Sequence, residues 1–232
     1  MLEAASGARR TVQRGALTVQ HILVYSDSLS WGIIPMTRNR LTFDARWPGV
    51  MELALTQPNR PVRVIEDCLN GRRTVWEDPF SPGRNGLTGL AQRIEIHSPL
   101  ALVLLMLGTN DFQSMHPHTA WHAARGIATL VKEIRQASIE PGMPIPPVLI
   151  VAPPPIDTPR GPVAAKFQDA AAKCRGLAQA YEEVATELNC YFFDSGSVTD
   201  ASTVDGVHLD ADQHGRLGKS LAAFVATLPV LR

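Results

Sequence analysis

The sequence lacks long hydrophobic runs, net charge and the cysteine pairs of a disulfide or zinc framework. Its longest apolar run, Leu100 to Leu107, has eight residues, whereas a membrane-spanning helix needs about 20. The 22 basic and 22 acidic residues cancel, so no charge excess points to nucleic acid or an anionic membrane as a partner. The sequence has three cysteines and no CxxC motif, and they are Cys68, Cys174 and Cys190. This odd, widely spaced set favours reduced thiols in a cytoplasm over disulfides or a zinc site.

The sequence also has no glycine-rich phosphate-binding motif, because neither GxxxxGK[ST] nor GxGxxG occurs in it. Its 232 residues, 45% hydrophobic and 19% charged, suit one ordinary globular domain. Residues 1–19 carry Arg9, Arg10 and Arg14 but no apolar stretch of signal-peptide length. We therefore expect a loose N-terminal extension over residues 1–19 and a cytoplasmic domain without a cofactor over residues 20–232.

Short apolar runs alternate with segments of helical periodicity along this domain. The predicted strands are His21–Tyr25, Val62–Ile65, Leu100–Leu107, Pro147–Ala152 and Cys190–Phe193. The predicted helices are Trp47–Leu55, Leu87–His97, Thr119–Gln136, Val163–Leu188 and Ala211–Leu228. This alternation predicts an α/β fold of three layers, in which helices cover both faces of an open, flavodoxin-like parallel sheet of five strands.

The residues after each strand are the first candidates for a site, because ligands of open α/β sheets bind beyond the carboxyl ends of the strands. Ser28 follows the first strand in the segment 26–29 (SDSL). A serine there either exposes its hydroxyl and aims its own N–H at a carbonyl, or simply caps a helix. Gly71 follows the second strand and either brings a backbone N–H close to a ligand or makes a plain turn.

Two further segments carry groups suited to catalysis. Asn110 follows the third strand in the segment 108–111 (GTND), where its amide either donates to an oxyanion or forms an Asx turn. Asp205 and His208 precede the last helix in the segment 205–208 (DGVH). Their spacing lets a carboxylate hold Nδ1 of an imidazole while Nε2 faces a nucleophile, although a solvated loop pair has the same spacing.

These four segments, in this order, resemble the SGNH hydrolases, also called GDSL esterases, whose four sequence blocks are named after Ser, Gly, Asn and His. The resemblance runs from about His21 to the last helix. Further features resemble the arylesterase and acyltransferase branch of that family. They are Trp31-Gly32, Arg46-Trp47, Arg73-Thr74 with Glu77-Asp78-Pro79, the prolines at 153–155 and the segment 193–196 (FDSG).

The resemblance implies a role for each block residue. Ser28 would be the nucleophile, His208 its general base and later the general acid, and Asp205 the residue that orients His208. The backbone N–H groups of Ser28 and Gly71, together with the side chain of Asn110, would form the oxyanion hole.

One residue departs from the family pattern, because Ser26 occupies the position where the family usually has glycine. A serine held there at positive φ would be strained by about 1 kcal/mol or more. If the position needs only a small side chain, the serine is nearly harmless. In both cases Ser28 stays the predicted nucleophile.

Several other side chains are candidates for the surroundings of the site. The candidate substrate contacts are Asp27, Trp31, Phe112 and Val207. Trp76 and Phe80 could join Trp31 and Phe112 in an apolar acyl or aryl pocket, and packing in the core or at an interface is the alternative for each aromatic residue. Metal-like spacing occurs among His116, His118 and His122, but no carboxylate or cysteine completes a familiar motif, so no metal is expected and these residues could instead line the entrance.

The expected function is that of a serine esterase acting on a small-molecule ester with a short, acetyl-like acyl chain. Water, an alcohol or hydrogen peroxide would be the acyl acceptor. The alternatives are a carbohydrate acetylesterase, a thioesterase or lysophospholipase-like hydrolase, and a binding module whose catalysis has decayed. A homo-oligomer is also expected, because members of the resembled branch often assemble, and the insert from Trp76 to Gly89 is the candidate contact loop.

Overall fold

The computed structural model describes residues 18–231, which contain one sheet of five parallel strands. The strands are β1 (Gln20–Ser26), β2 (Val62–Cys68), β3 (Leu102–Met106), β4 (Val148–Ala152) and β5 (Tyr191–Asp194). The helices are α1 (Ser28–Trp31), α2 (Trp47–Leu55), α3 (Leu90–His97), α4 (Ala120–Gln136), α5 (Ala170–Lys173), α6 (Leu177–Glu187) and α7 (Ala211–Thr227). The strand order β2-β1-β3-β4-β5 is that of flavodoxin, so the predicted fold class is confirmed. Residues 1–17 of the predicted extension lie outside the described residues.

Helices pack on both faces of the sheet, because successive side chains on a strand point to opposite sides. On β1, Leu23 and Tyr25 pack with residues of α3, α4 and α6, whereas Ile22 and Val24 pack with residues of α2 and α7. Every residue of β3 and β4 is buried, as expected for central strands with both faces covered. The polar groups that follow the strands are therefore collected at the carboxyl edge of the sheet.

The single helix predicted over Val163–Leu188 is wrong, because the segment starts at the end of a 3-10 turn (Gly161–Val163) and then contains two separate helices, α5 and α6. Asp169 and Gly176 have φ values of +61° and +79°, and such left-handed conformations interrupt an α-helix. The break allows Phe167 to line a cleft at the carboxyl ends of the strands. No helix within residues 18–231 combines the length and hydrophobicity that a bilayer crossing requires.

The contact between α2 and α7 contains a buried histidine. The Trp47 backbone N–H donates to Nδ1 of His214 at 3.2 Å, and His214 is fully buried. Burial, followed by the nearby charges of His208 and Arg46, lowers the pKa of His214 to about 4. The folded protein therefore holds this imidazole neutral at pH values where an unfolded chain would protonate it.

Acid should destabilise the fold through this residue. An unfolded chain protonates His214 near its ordinary pKa of about 6.5, whereas the folded chain does so only near pH 4. The free energy of unfolding therefore falls as the pH drops through that interval, by roughly 2 kcal/mol between pH 7 and pH 5. His214→Asn keeps an acceptor for the Trp47 N–H and does not titrate, so thermal unfolding at pH 7 and pH 5 should show a smaller acid shift in Tm for the variant. An equal shift in both proteins would contradict this assignment.

Candidate active site

The turn from β1 into α1 places Ser28 at the carboxyl edge of the sheet. Asp27 caps α1, because its Oδ1 accepts the backbone N–H of Leu29 at 2.9 Å. Ser28 is the first residue of the helix and lines a cleft of about 290 Å³. A sharp strand-to-helix turn of this kind can present a serine side chain and its own backbone N–H to the same ligand.

Ser26 is unstrained at the end of β1. Among residues 18–231, the non-glycine residues with positive φ are Met36, Asp169 and Asn189, so the position of Ser26 does not require glycine. Its Oγ donates to the Met106 carbonyl at 2.6 Å and lies 2.5 Å from Oγ of Ser30. Of the two expectations for Ser26, the structure therefore supports the harmless small side chain, and the hydroxyl is fully buried rather than presented to the cleft.

Asp205 and His208 form a hydrogen-bonded pair on the loop before α7. Nδ1 of His208 lies 2.7 Å from Oδ2 of Asp205, and Oδ1 accepts the backbone N–H groups of Val207 and His208, both at 2.9 Å. Burial opposes ionisation of Asp205, but the hydrogen bond and charge of His208 together with these two N–H groups hold the pKa of the carboxyl below its ordinary value. The pair therefore consists of an ionised carboxylate that fixes the orientation of an imidazole.

His208 lines the same cleft as Ser28. Within residues 18–231, no hydrogen bond joins the two side chains in this state. Nucleophile and base are often slightly too far apart for a hydrogen bond until substrate is bound. The cleft therefore brings together the predicted nucleophile and the predicted base, with the Asp205 carboxylate behind the imidazole.

The segment that follows β4 holds the loop that carries Asp205 through two backbone hydrogen bonds. The backbone N–H of Asp157 donates to the Gly206 carbonyl at 3.0 Å, and that of Arg160 donates to the Asp205 carbonyl at 2.9 Å. Gly206 has a φ of +77°, and a Cβ at this position would lie 2.2 Å from the Thr158 carbonyl oxygen. Only glycine fits such a close approach, so backbone contacts fix the position of the Asp205 loop.

Two backbone N–H groups in the cleft are free to stabilise a negative oxygen. Within residues 18–231, the N–H groups of Ser28 and Gly71 donate no hydrogen bond. Both residues line the cleft, and so does Asn110, which lies in the 3-10 turn Thr109–Phe112 after β3. Donors arranged in this way before substrate binds are what an oxyanion hole requires.

The Asn110 amide is held in place by three neighbours. Its Nδ2 donates to Oδ2 of Asp27 at 3.0 Å and to the Arg72 carbonyl at 3.2 Å, while its Oδ1 accepts from Nε2 of Gln113 at 2.7 Å. Gln113 in turn accepts a hydrogen bond from the buried Arg73 guanidinium. Sequence reasoning missed Gln113, which no motif marks, and identified Arg73 only as a branch feature.

Two buried carboxylates lie behind the cleft and connect its loops. Burial raises the pKa of Asp27 to about 6 and that of Asp111 to about 7. Asp111 accepts the backbone N–H of Thr74 at 2.9 Å and its hydroxyl at 2.5 Å. This interaction ties the loop after β2 to the loop after β3 and so fixes Gly71 relative to Asn110.

The other predicted substrate contacts take supporting positions. Phe112 and Val207 are buried in the core on the α4 side of the sheet, and Asp27 is engaged by Leu29 and Asn110 as described. Trp31 is half-buried, with the guanidinium of Arg40 4.9 Å from its ring centre. None of the four lines the cleft, so the predicted contact of their side chains with substrate is not supported. The apolar residues that do line the cleft are Ile33, Pro162, Val163 and Phe167.

The three closely spaced histidines form an aromatic stack beside Trp76. The ring centres of Trp76 and His118 are 4.1 Å apart, and those of His116 and His118 are 4.7 Å apart. Burial, followed by the charges of His116 and His122, lowers the pKa of His118 to about 4. None of these rings lines the cleft, and within residues 18–231 no group of three or more His, Cys, Asp or Glu side chains is arranged to hold a metal ion.

Comparison with known proteins agrees with this arrangement. The sequence profile of the GDSL-like Lipase/Acylhydrolase family matches residues 27–216, and a search of curated proteins found no match. Among solved structures, the native aryl esterase of M. smegmatis is 35% identical with a TM-score of 0.85, over 90% of this chain and 99% of that chain. A carbohydrate acetylesterase from Sinorhizobium meliloti is 33% identical with a TM-score of 0.84, over 89% of this chain and 98% of that chain. The chain therefore belongs to the GDSL-like lipase/acylhydrolase family, the SGNH hydrolases, as its four sequence blocks predicted.

Proposed function

We propose that the protein is a serine esterase that hydrolyses short-chain, acetyl-like carboxylic esters through an acyl-enzyme on Ser28. The observation that carries this proposal is the presence in one cleft of Ser28, the His208 imidazole held by Asp205, and the free N–H groups of Ser28 and Gly71. Acyl transfer needs a nucleophile, a base and an oxyanion-binding site together.

In the proposed reaction, Oγ of Ser28 attacks the ester carbonyl carbon while Nε2 of His208 takes the hydroxyl proton. The carbonyl oxygen becomes negative and accepts hydrogen bonds from the free backbone N–H groups of Ser28 and Gly71, each donor being worth about 3–4 kcal/mol. Asn110 joins them when its Nδ2 exchanges the hydrogen bond to the Arg72 carbonyl for one to the substrate oxygen. His208 then passes the proton to the departing alcohol, and the ionised Asp205 stabilises the imidazolium while it exists. Water repeats these steps on the acyl-enzyme and releases the acid.

The size of the cleft supports a short acyl chain. Its volume of about 290 Å³ lies just below the range of about 300–1,000 Å³ that is typical of ligand pockets. Its apolar lining comes from Ile33, Pro162, Val163 and Phe167. A second cavity of about 350 Å³ adjoins it at His208, and we place the short acyl chain in the smaller cleft and the alcohol part of the ester in the adjoining cavity.

Catalytic efficiency should fall steeply with acyl length. For p-nitrophenyl acetate, butyrate and octanoate, we expect kcat/KM to decrease by at least about tenfold across the series. Labelling with a fluorophosphonate, which reports a reactive serine without depending on acyl size, provides the control. Equal rates along the series would contradict the restricted acyl site, and failure of both labelling and hydrolysis would favour a binding module whose catalysis has decayed.

A second candidate activity is deacetylation of a carbohydrate. Polar side chains, including Asn70 and Ser81, line part of the cleft, and hydroxyl-rich alcohols need such partners when they are desolvated. The related carbohydrate acetylesterase from Sinorhizobium meliloti points the same way. Initial rates on an acetylated sugar, an aryl acetate and an acyl thioester, measured side by side, would separate this activity from aryl ester and thioester hydrolysis.

We further propose that an alcohol or hydrogen peroxide can replace water as acyl acceptor, because the His208 imidazole can take a proton from any small nucleophile that reaches the acyl-enzyme. Product analysis in aqueous ethanol or peroxide would detect the ethyl ester or the peracid.

The proposed location is the cytoplasm, which the three free thiols Cys68, Cys174 and Cys190 support. A homo-oligomer is proposed from the Trp76–Gly89 insert, in which Phe80 is 79% exposed. A monomeric mass by light scattering at working concentration would overturn the oligomer.

A further inference from the structure

The charge of the candidate active-site cleft is unbalanced, although the whole chain is neutral. Arg38, Arg84 and Lys166 line the cleft, and among the described residues that line it Asp78 is the single carboxylate. Asp78 is buried, and its Oδ2 lies 3.0 Å from Nη1 of the fully buried Arg73. Its charge is therefore already compensated, which leaves three cations facing the cleft.

These three cations have no acidic partners among the residues that the structure describes. Within residues 18–231, none of Arg38, Arg84 and Lys166 forms an ion pair. By contrast, Nε of the nearby Arg46 lies 2.8 Å from Oε1 of Glu66. Unpaired cations that line a cavity raise the local concentration of anions and can bind a carboxylate or phosphate directly.

One of the three cations lies close to a proposed oxyanion donor. Cδ and Nε of Arg84 are each 3.6 Å from the position that a Cβ would take on Gly71, so this side chain lies over one of the proposed oxyanion donors. Partial burial lowers the pKa of Lys166, Asp78 acts in the opposite direction, and the charges of Arg38 and Arg84 lower it further. The positive charges of Arg38 and Arg84 therefore act on Lys166 within a single cleft.

The carboxylates behind the cleft do not cancel this charge by pairing with the cations. Asp205 is engaged by the His208 imidazole, and Asp27 accepts hydrogen bonds from Leu29 and Asn110. An anionic group on a substrate would therefore complement the charge of the cationic part of the cleft.

We propose that the enzyme prefers esters that carry an anionic oxygen group, such as a carboxylate, over neutral esters of the same shape. This preference rests on the proposed esterase activity and names its substrate class. Guanidinium and ammonium groups recognise such oxygens by charge-assisted hydrogen bonds. The anionic group can belong to the alcohol part or to the acyl part of the ester, and matched substrates distinguish the two.

The test compares kcat/KM for two pairs of esters in the wild type and in the triple variant Arg38→Gln/Arg84→Gln/Lys166→Gln. For the alcohol part, the pair is 4-acetoxybenzoate and its methyl ester. For the acyl part, the pair is ethyl hydrogen succinate and diethyl succinate, followed by pH-stat. In at least one pair, the ratio of kcat/KM for the anionic ester to kcat/KM for the neutral ester should be about tenfold higher in the wild type than in the variant. Salt at about 0.5 M should reduce this difference, because it screens the charges.

Lys132→Gln is the matched control, because Lys132 is exposed on α4 and does not line the cleft. It should leave both ratios unchanged. Ratios that agree within about twofold between the wild type and the triple variant in both pairs would overturn the anionic preference. If neutral esters are still hydrolysed in that case, the proposed esterase activity stands. If the wild type hydrolyses none of the four esters, the esterase activity is overturned and the preference with it.

Discussion

Ser28→Ala is expected to reduce the hydrolysis of p-nitrophenyl acetate to near background, a loss of at least about 10⁴-fold in kcat. Ser28 begins α1 at the carboxyl edge of the sheet and shares its cleft with His208. Among the described residues that line this cleft, Ser81 is the one other serine. Without Oγ of Ser28 no acyl-enzyme forms on this turn. The oxyanion donors alone can then give only weak catalysis of direct attack by water.

Ser26→Ala is the matched control, because Ser26 lies two positions away on the same turn and its hydroxyl is buried against the Met106 carbonyl. We expect this variant to lose some thermal stability but to keep most of its turnover. Initial rates of the wild type and both variants would be measured side by side. Full activity in Ser28→Ala with loss in Ser26→Ala would move the nucleophile to Ser26.

Asp205→Asn is expected to lower kcat by about 10³–10⁴-fold near neutral pH. Oδ1 of Asp205 accepts two backbone N–H groups at 2.9 Å, from Val207 and His208. An asparagine must keep its carbonyl oxygen at this position, so its NH₂ group faces Nδ1 of His208. Nδ1 then becomes an acceptor, the proton moves to Nε2, and the imidazole can no longer take a proton from Ser28.

The tautomer of the His208 imidazole can be measured independently, and a loss of protein stability alone would not change it. In ¹⁵N NMR spectra of the imidazole near pH 8, the wild type should show the proton on Nδ1 and Asp205→Asn should show it on Nε2. Asp212→Asn is the matched control, because Asp212 is exposed at the start of α7 and pairs with Arg216 on the same helix. Unchanged kcat in Asp205→Asn would remove this residue from the proposed mechanism.

The fold was predictable from sequence because its central strands are continuous apolar runs. The run that contains β3 is buried on both faces, and the run before the prolines at 153–155 became β4. The long helix over Val163–Leu188 was not predictable, because an alanine-rich pattern hides the left-handed residues Asp169 and Gly176. Local propensity favours a helix there, and the two left-handed residues interrupt it in the folded chain.

The candidate site divides in a similar way. The shared location of Ser28, Gly71, Asn110 and His208 in one cleft was predictable, because each follows a strand or precedes the last helix in a recognisable block. The residues that hold them lie in no motif, and Gln113 is an example. The cationic lining was not predictable either, because Arg38, Arg84 and Lys166 are far apart in sequence and come together only through three separate loops.

The backbone contacts around Gly206 have a consequence for redesign of the cleft. The segment after β4 supplies the N–H groups of Asp157 and Arg160 that hold the Asp205 loop, and it leads directly into the cleft-lining residues Pro162 and Val163. Replacing this segment alone with that of a relative, in order to widen the cleft, would also remove the hydrogen bonds that support the Asp205 loop. The segment after β4 and the Asp205 loop should therefore be exchanged together. In a chimaera of two related proteins, both should come from the same parent.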